Sequence, residues 1–362
     1  MLRKLKKSSQ NIFKSIGYNL FSLKYGKIQK TLNPYFNKDI QIRNIIFDKR
    51  FKYKLFSIKK GRIYTDRIHN YAVIKNNCLV KGPSFQLSGI KNQKIEKNIV
   101  LKIGTPRKKK IIKGTVLSMI TGGAGNTNFW HWMFDVLPRL AIAQKFFPLK
   151  KIDFFLVPEI NYKFQLQSLQ ALGISKKKIL SSKAFRHIEA NTIISVDHPY
   201  VFKNNPTKEI QKMPKWISTW LKKSFKIKTH KANNKIYIDR KDAISNNSHL
   251  RKITNEKEVK LLLKKRGFKV VTLSKLSFTE QIKLFNSAKI IIGLHGAGFA
   301  NIVFCKNKTK IIEIKTISAG NVITNLARTN KLNYSSISLK SNRKKNDQHG
   351  HIKVPIKKLK NI

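Results

Sequence analysis

The sequence predicts an α/β protein with two Rossmann-like doubly wound domains facing a cleft, preceded by a strand-rich N-terminal region. Three observations predict it. From residue 116 onward, apolar runs alternate with amphipathic segments, the rhythm of strand and helix in a parallel sheet. The stretch Pro199 to Pro214 has a linker's composition and divides that alternation into two units. The segment Ile290 to Asn301 carries an apolar strand into a His-Gly-Ala-Gly turn and then a short helical stretch. In open α/β sheets that carboxyl edge is where ligands bind.

Taken in order, residues 2–21 place Leu2, Leu5, Ile12, Phe13, Ile16, Leu20 and Phe21 at near-helical spacing among Lys4, Lys6, Lys7 and Lys14. The pattern fits a basic helix lying on an anionic membrane surface, and equally a helix docked on its own domain. Residues 40–115 read as short strands broken at Gly61, Gly82-Pro83, Gly89, Gly104-Thr105-Pro106 and Gly114, with a solvated basic loop at Arg107 to Lys110. Val116 to Ile120 is a strand, and Thr121 to Thr127 a glycine-rich loop leading into a helix. Strands at Asp153 to Val157 and Thr192 to Val196 flank a helix from Tyr162 to Leu172, closed by Gly173. The second unit opens with a helix at Trp216 to Phe225 and a strand at Lys235 to Ile238. Asn255 with Glu258, and Ser277 with Glu280, read as capping boxes, and Gly267 closes the first of those helices. Strands follow at 268–273, 289–293 and 310–314. The resulting division is 1–115, 116–205, 215–340 and a basic tail, 341–362.

At 362 residues the chain is long enough for two ordinary cores. Cys78 and Cys305 lie far apart in sequence, which argues against a disulfide framework and is compatible with a reducing compartment. No run reaches the roughly 18 apolar residues of a membrane span, and the N-terminus has lysines without an apolar core of a secretory signal. The expected location is cytoplasmic, with peripheral contact at the membrane surface as the open variant. The formal charge of +59, from 76 basic and 17 acidic residues, points to an acidic partner or to biased composition, since Lys, Asn and Ile are abundant throughout. Zinc-finger spacing, helix-turn-helix pattern and aromatic-interleaved basic motifs are absent from the sequence, so specific nucleic-acid recognition is not expected.

Two segments carry chemistry. In Asn128 to Leu140, positions Phe129, Trp132, Met133, Val136, Leu137 and Leu140 share one helical side, and Asn128, His131, Asp135 and Arg139 form a narrow polar stripe on the other. His131 and Asp135 are i,i+4 neighbours whose side chains can touch. Pro138 kinks or ends the helix, which makes Arg139 the least secure member. In the second segment, Gly296 and Gly298 allow positive φ and close ligand approach. The following helix turns unpaired N–H groups toward an anion, and His295 sits at the strand end. A solvated polar face and a merely tight connection are the respective bland readings.

Together these segments resemble the family-61 glycosyltransferases. Three ordered blocks carry the resemblance: 128–140; Ile236 to Ala243 with Asn255-Glu256; and Leu276 to Gln281, 292–304 and Ile312-Glu313-Ile314. It covers about 128–330. Phe299-Ala300 replaces the family's usual Leu-Thr, and its arginine run is thinned to Asn246, Asn247 and Ser248, leaving Arg251 and Lys252. The resemblance implies a GT-B type fold and metal-independent transfer.

On this basis the expected activity is an inverting glycosyltransferase moving sugar from a nucleotide-sugar donor to a glycan or polysaccharide acceptor, free or lipid-linked, with no further cofactor. Asp135 or His131 is the base and the other orients it; the sequence does not order the roles. Asn128 and Arg139 lie on the acceptor side, in the 116–205 lobe. Arg240, Arg251, His295 and the turn residues Gly296, Ala297, Gly298 and Asn301 form the donor site of the 215–340 lobe. Glu313 takes ribose hydroxyls or merely caps a neighbouring element. No Asp-x-Asp occurs in the sequence, so no metal is implied. The alternatives are a basic polyanion or nucleic-acid binder without catalysis, and a scaffold that has lost catalysis. Intact His131, Asp135 and His295 argue against the scaffold.

Overall fold

The computed structural model of the chain describes residues 2–47, 49–65, 71–84, 86–88, 91–93, 95–120, 128–200, 211–226, 232–242, 251–343, 349–360 and 362. The chain is mixed α/β and forms two compact units. One comprises Met1–Thr127, His131–Tyr162 and Gly173–Ile210; the other comprises Asn128–Trp130, Lys163–Leu172 and Gln211–Ile362. The predicted loop Thr121 to Thr127, Gly89, most of the predicted linker (201–210) and Ala243 to Ser248 fall outside the described residues.

In the first unit the expected boundary at 115/116 disappears. Strands from both sides of it share one nine-stranded mixed sheet. Its path runs Lys30–Leu32, Cys78–Val80, Tyr71–Lys75, Phe51–Thr65, His187–Val196, Lys110–Ser118, Phe154–Val157, Ile179–Ser181, with Ile40–Phe47 paired on Phe51–Thr65. Ile193 shows why: its Cα partners are Ile58 on one antiparallel neighbour and Val116 on a parallel one. The strand His187–Val196 is paired along both edges, and Phe56, Ile58, Ile63, Val116, Ile188 and Ile193 pack in one core beneath it. The unit is therefore a mixed sheet with a parallel portion rather than a doubly wound domain behind a separate strand-rich region. Gly61, read as a breaker, lies within the strand Phe51–Thr65. A Cβ there would meet Ile58 Cγ2 at 2.9 Å and Ile193 Cγ1 at 3.1 Å, so the glycine serves close packing, not a turn.

The second unit carries a five-stranded, wholly parallel sheet ordered Phe268–Thr272, Asn234–Asp239, Ala288–Leu294, Lys310–Thr316, Asn333–Leu339. Numbered by their order in the chain these strands run 2-1-3-4-5, the flavodoxin-like doubly wound order. The connecting helices include Glu256–Lys265, Phe278–Asn286 and Val322–Thr329. The Ser277–Glu280 capping box is present: the Ser277 N–H donates to Glu280 Oε2 at 2.7 Å and the Glu280 N–H to Ser277 Oγ at 3.3 Å. Gly267 takes φ 79° after the preceding helix. Asn255 behaves differently from a cap. Its amide pairs with both the C=O and the N–H of Val354 at 2.9 Å, fastening the C-terminal segment instead. Ile352, Val354 and Leu359 join the core of Tyr237, Ile292 and Ile312, so much of the predicted basic tail is structural.

The helix Lys163–Ala171, expected in the first lobe, groups with the second unit, where Gln167 Oε1 accepts the Phe278 N–H at 2.8 Å and Phe164 packs edge-on to Phe129. Cys78 is half-buried and Cys305 buried, both as free thiols.

Candidate active site

The polar-striped segment is not one continuous α-helix. Phe129–His131 is α-helical, Trp132–Val136 is a π turn and Pro138–Ala143 is α-helical again. Pro138 is the physical reason. It has no N–H to offer the Phe134 carbonyl, and its ring crowds the preceding turn. The helix widens rather than ends, closing through the Leu137 N–H to the Trp132 carbonyl at 3.0 Å. Every residue from Trp132 to Ala143 is buried, so Asp135 and Arg139 of the polar stripe face protein, while His131 and Asn128 at its start reach solvent.

Within that stripe His131 Nδ1 meets Asp135 Oδ2 at 2.5 Å. Asp135 is 4 % exposed, and its second oxygen, Oδ1, is buried without a hydrogen-bond partner among the described residues. His131 keeps its outer edge partly open. Burial works to lower the His131 pKa, but the charge and hydrogen bond of Asp135 outweigh it and hold it above 6.5. Burial likewise works to raise Asp135, and the neighbouring His131 overrides it, holding the carboxyl below the usual range. Arg139, expected on the acceptor side, is 0 % exposed. Its Nε donates to the Asp135 carbonyl at 2.9 Å and Nη1 to the Val196 carbonyl at 3.4 Å, so it braces the π turn from within. Asn128 is exposed and accepts the Trp130 N–H at 2.8 Å, starting the helix.

Sequence reasoning missed His198. Its Nδ1 accepts the Tyr200 N–H at 3.0 Å, which leaves the proton on Nε2, 4.0 Å from Asp135 Oδ2. Burial lowers its pKa to about 3, so the ring is neutral. The signal was available: Asp197-His198 directly follows a predicted strand, the rule that singled out His295.

In the second unit, Arg240 follows the first strand and His295 the third, at the carboxyl edge where the 2-1-3-4-5 order reverses direction. That switch point is the usual ligand crevice of such sheets. The His295 carbonyl accepts from Arg240 Nη1 at 2.7 Å and from Arg251 Nη1 at 3.0 Å. Burial and then the Arg240 charge lower Arg251 to about 10, and burial also lowers Arg240. Arg251 Nε is buried and has no hydrogen-bond partner among the described residues. Two like charges held against one carbonyl form a place that an anion would relieve.

His295 Nδ1 is hydrogen-bonded to Glu313 Oε1, and Tyr334 Oη donates to Glu313 Oε2 at 2.5 Å. Glu313 is 0 % exposed, with one oxygen engaged by His295 and the other by Tyr334, the arrangement of a group that holds its neighbours in place. Tyr334 escaped notice because its strand, Asn333–Leu339, was not predicted. Asn301 is also 0 % exposed, and its Nδ2 donates to Gln281 Oε1 at 3.0 Å.

Neither turn glycine lies in the left-handed region. Gly296 is extended at φ 170°, and a Cβ there would lie 3.0 Å from Arg240 Cζ; its bareness lets the guanidinium approach. The Cβ direction of Gly298 closes on Leu273 Cδ1 at 2.9 Å and Ile238 Cγ2 at 3.5 Å, so apolar packing leaves little room for a side chain there. Ala297 and Gly298 are half-buried at the start of the 3₁₀ helix Ala297–Phe304. Gly298→Val is therefore expected to cost stability, about 1–3 kcal/mol of overpacking, as a lowered melting temperature. A variant that melts like the parent yet loses ligand binding would restore the phosphate-approach role.

No curated protein matches the chain. The Glycosyltransferase 61 family profile matches residues 129–312, half of the chain, from the helix that leads into the His131–Asp135 pair to the strand bearing Glu313. That span takes in the π turn and the strand-end arginine and histidine in their expected order, and the chain belongs to glycosyltransferase family 61.

Proposed function

We propose that this glycosyltransferase is of the GT-B type, inverts the anomeric centre, takes its sugar from a nucleotide-sugar donor and needs no metal. The observation that carries the donor half is the convergence of Arg240 and Arg251 on the His295 carbonyl at the switch point. The acceptor half rests on the buried Asp135 and partly open His131.

His131 is the base. With Nδ1 committed to Asp135, Nε2 takes the acceptor hydroxyl proton as that oxygen attacks the anomeric carbon. Asp135 fixes the ring and stabilises the imidazolium that forms. The bond from anomeric carbon to diphosphate breaks on the opposite face, which inverts the centre. The leaving charge is met by the two guanidiniums, the N–H groups following Gly296 and the second ring nitrogen of His295, whose first is held by Glu313. The acceptor is a glycan or polysaccharide hydroxyl. Family membership does not favour the alternative of a non-catalytic polyanion binder.

A calorimetric screen of nucleoside diphosphates and nucleotide sugars tests the reading. One nucleotide is expected to bind specifically, and its sugar to be transferred with inversion. Binding only to long polyanions, with a steep salt slope, would point to the alternative. Transfer is also expected to survive chelator, because the sequence has no Asp-x-Asp and the proposed leaving-group site is cationic. Activity abolished by EDTA and restored by manganese would overturn metal independence.

A further inference from the structure

The N-terminal helix Leu2–Tyr25 presents two opposite faces. At about 100° per residue, the half-buried Gly17, Tyr18, Phe21, Ser22 and Tyr25 lie on one side, which docks on the first unit. Its end is built in. Gly26, at φ 81°, donates its N–H to the Ser22 carbonyl at 2.9 Å, and Arg62 Nη1 donates to the Tyr25 carbonyl at 3.1 Å. The Lys109 N–H donates to Tyr25 Oη at 3.0 Å, and the Tyr25 ring meets His187 edge-on at 5.1 Å.

On the opposite side Ile12, Phe13, Ile16, Leu20 and Leu23 fall within an arc of about 100°. They are 51–84 % exposed. An amphipathic helix that merely packed on its domain would turn this stripe inward. Here the polar and aromatic side docks, and the aliphatic stripe is left open. The helix contains six basic residues, Arg3, Lys4, Lys6, Lys7, Lys14 and Lys24, and no acidic one. No described helix is long and apolar enough to cross a membrane.

We propose that this stripe lies in the interface of an anionic lipid bilayer, with the helix about 36 Å long in the plane of the surface. Charge decides the occupant. A second copy of a chain carrying +59 would bring lysines against lysines, whereas acidic headgroups complement the basic residues while the acyl boundary takes the aliphatic stripe. The unit beneath, fixed to the helix through Arg62 and Tyr25, is thereby held at the membrane surface. This inference stands independently of the transfer mechanism.

Because so basic a chain adheres to anionic vesicles by charge alone, the test must isolate the apolar component. The full chain is mixed with vesicles of equal parts phosphatidylglycerol and phosphatidylcholine and sedimented at about 1 M salt, where the Debye length is about 3 Å. The parent is expected to stay bound. The charge-neutral triple variant Ile12→Ser, Ile16→Ser, Leu20→Ser is expected to partition about 10²-fold more weakly. Separately, Phe13→Trp is expected to be quenched by brominated acyl chains beyond the quenching of the parent's own tryptophans. Release of the parent at high salt, equal partition of the triple variant or an unquenched Phe13→Trp would each overturn the proposal. So would vesicle-free self-association of the parent that the triple variant abolishes, which would make a second copy the cover.

Discussion

Asp135→Asn is expected to lower turnover by about 10²-fold or more, the usual scale for disabling a general base, and His131→Ala by at least as much. Donor binding should hardly change in either. The pH profile separates the two roles. His131 must be neutral to accept a proton, so the parent's rate rises with pH through a pKa held above 6.5. In Asp135→Asn the charge that raises this pKa is gone and burial, which lowers it, is left. The acid limb should then move to lower pH. The groups around Asp135 do not reproduce that shift: His198 is neutral with a pKa of about 3, and burial lowers Arg139 only to about 10. Because Asp135 also sits beside the buried Arg139, melting must be followed in parallel. Near-parent rates with early melting would make the pair structural. An acid limb that stays in place in Asp135→Asn would remove Asp135 as the group that tunes His131.

The second large effect is expected at the donor site. Arg240→Ala and Arg251→Ala should each weaken binding of the nucleotide identified by the screen by roughly 10- to 100-fold, the loss typical of a charge-assisted phosphate contact. Arg→Lys at either position should restore little, because one ammonium cannot both hold the His295 carbonyl and reach a phosphate as a planar fork does. The double variant should fall short of additivity, since both guanidiniums act on the same carbonyl and, in this reading, the same anion. Titration calorimetry beside a melting curve checks this. Two variants that melt and bind like the parent would remove the donor from this turn.

The sequence alone determined what is written within a few residues. The Ser277–Glu280 box, the Gly267 and Gly173 helix stops and the alternation from 234 to 316 are local signals with short-range causes, and all appear in the fold. The His131–Asp135 contact belongs to the same class, because i,i+4 spacing brings the two side chains together even where the turn beyond them is π. The family-61 relation was also legible, since it rests on ordered blocks of residue types rather than on contacts.

Tertiary structure decided what depends on distant partners. No local pattern could pair Ile193 with both Ile58 and Val116, so the first unit was read as two separate pieces. Burial followed the same logic. Arg139, Asn301 and Glu313 are polar residue types expected at a ligand, but packing enclosed them, and buried polar groups must find partners inside the protein. They became supports for Asp135, the glycine turn and His295. The convergence of Arg240 and Arg251, 11 residues apart, on the His295 carbonyl joins chain segments that no local pattern relates. The N-terminal helix illustrates both halves: its periodicity put Ile12, Phe13, Ile16 and Leu20 on one stripe, and only the docking of Tyr18, Phe21 and Tyr25 separated Phe21 from that stripe and determined that the stripe faces outward.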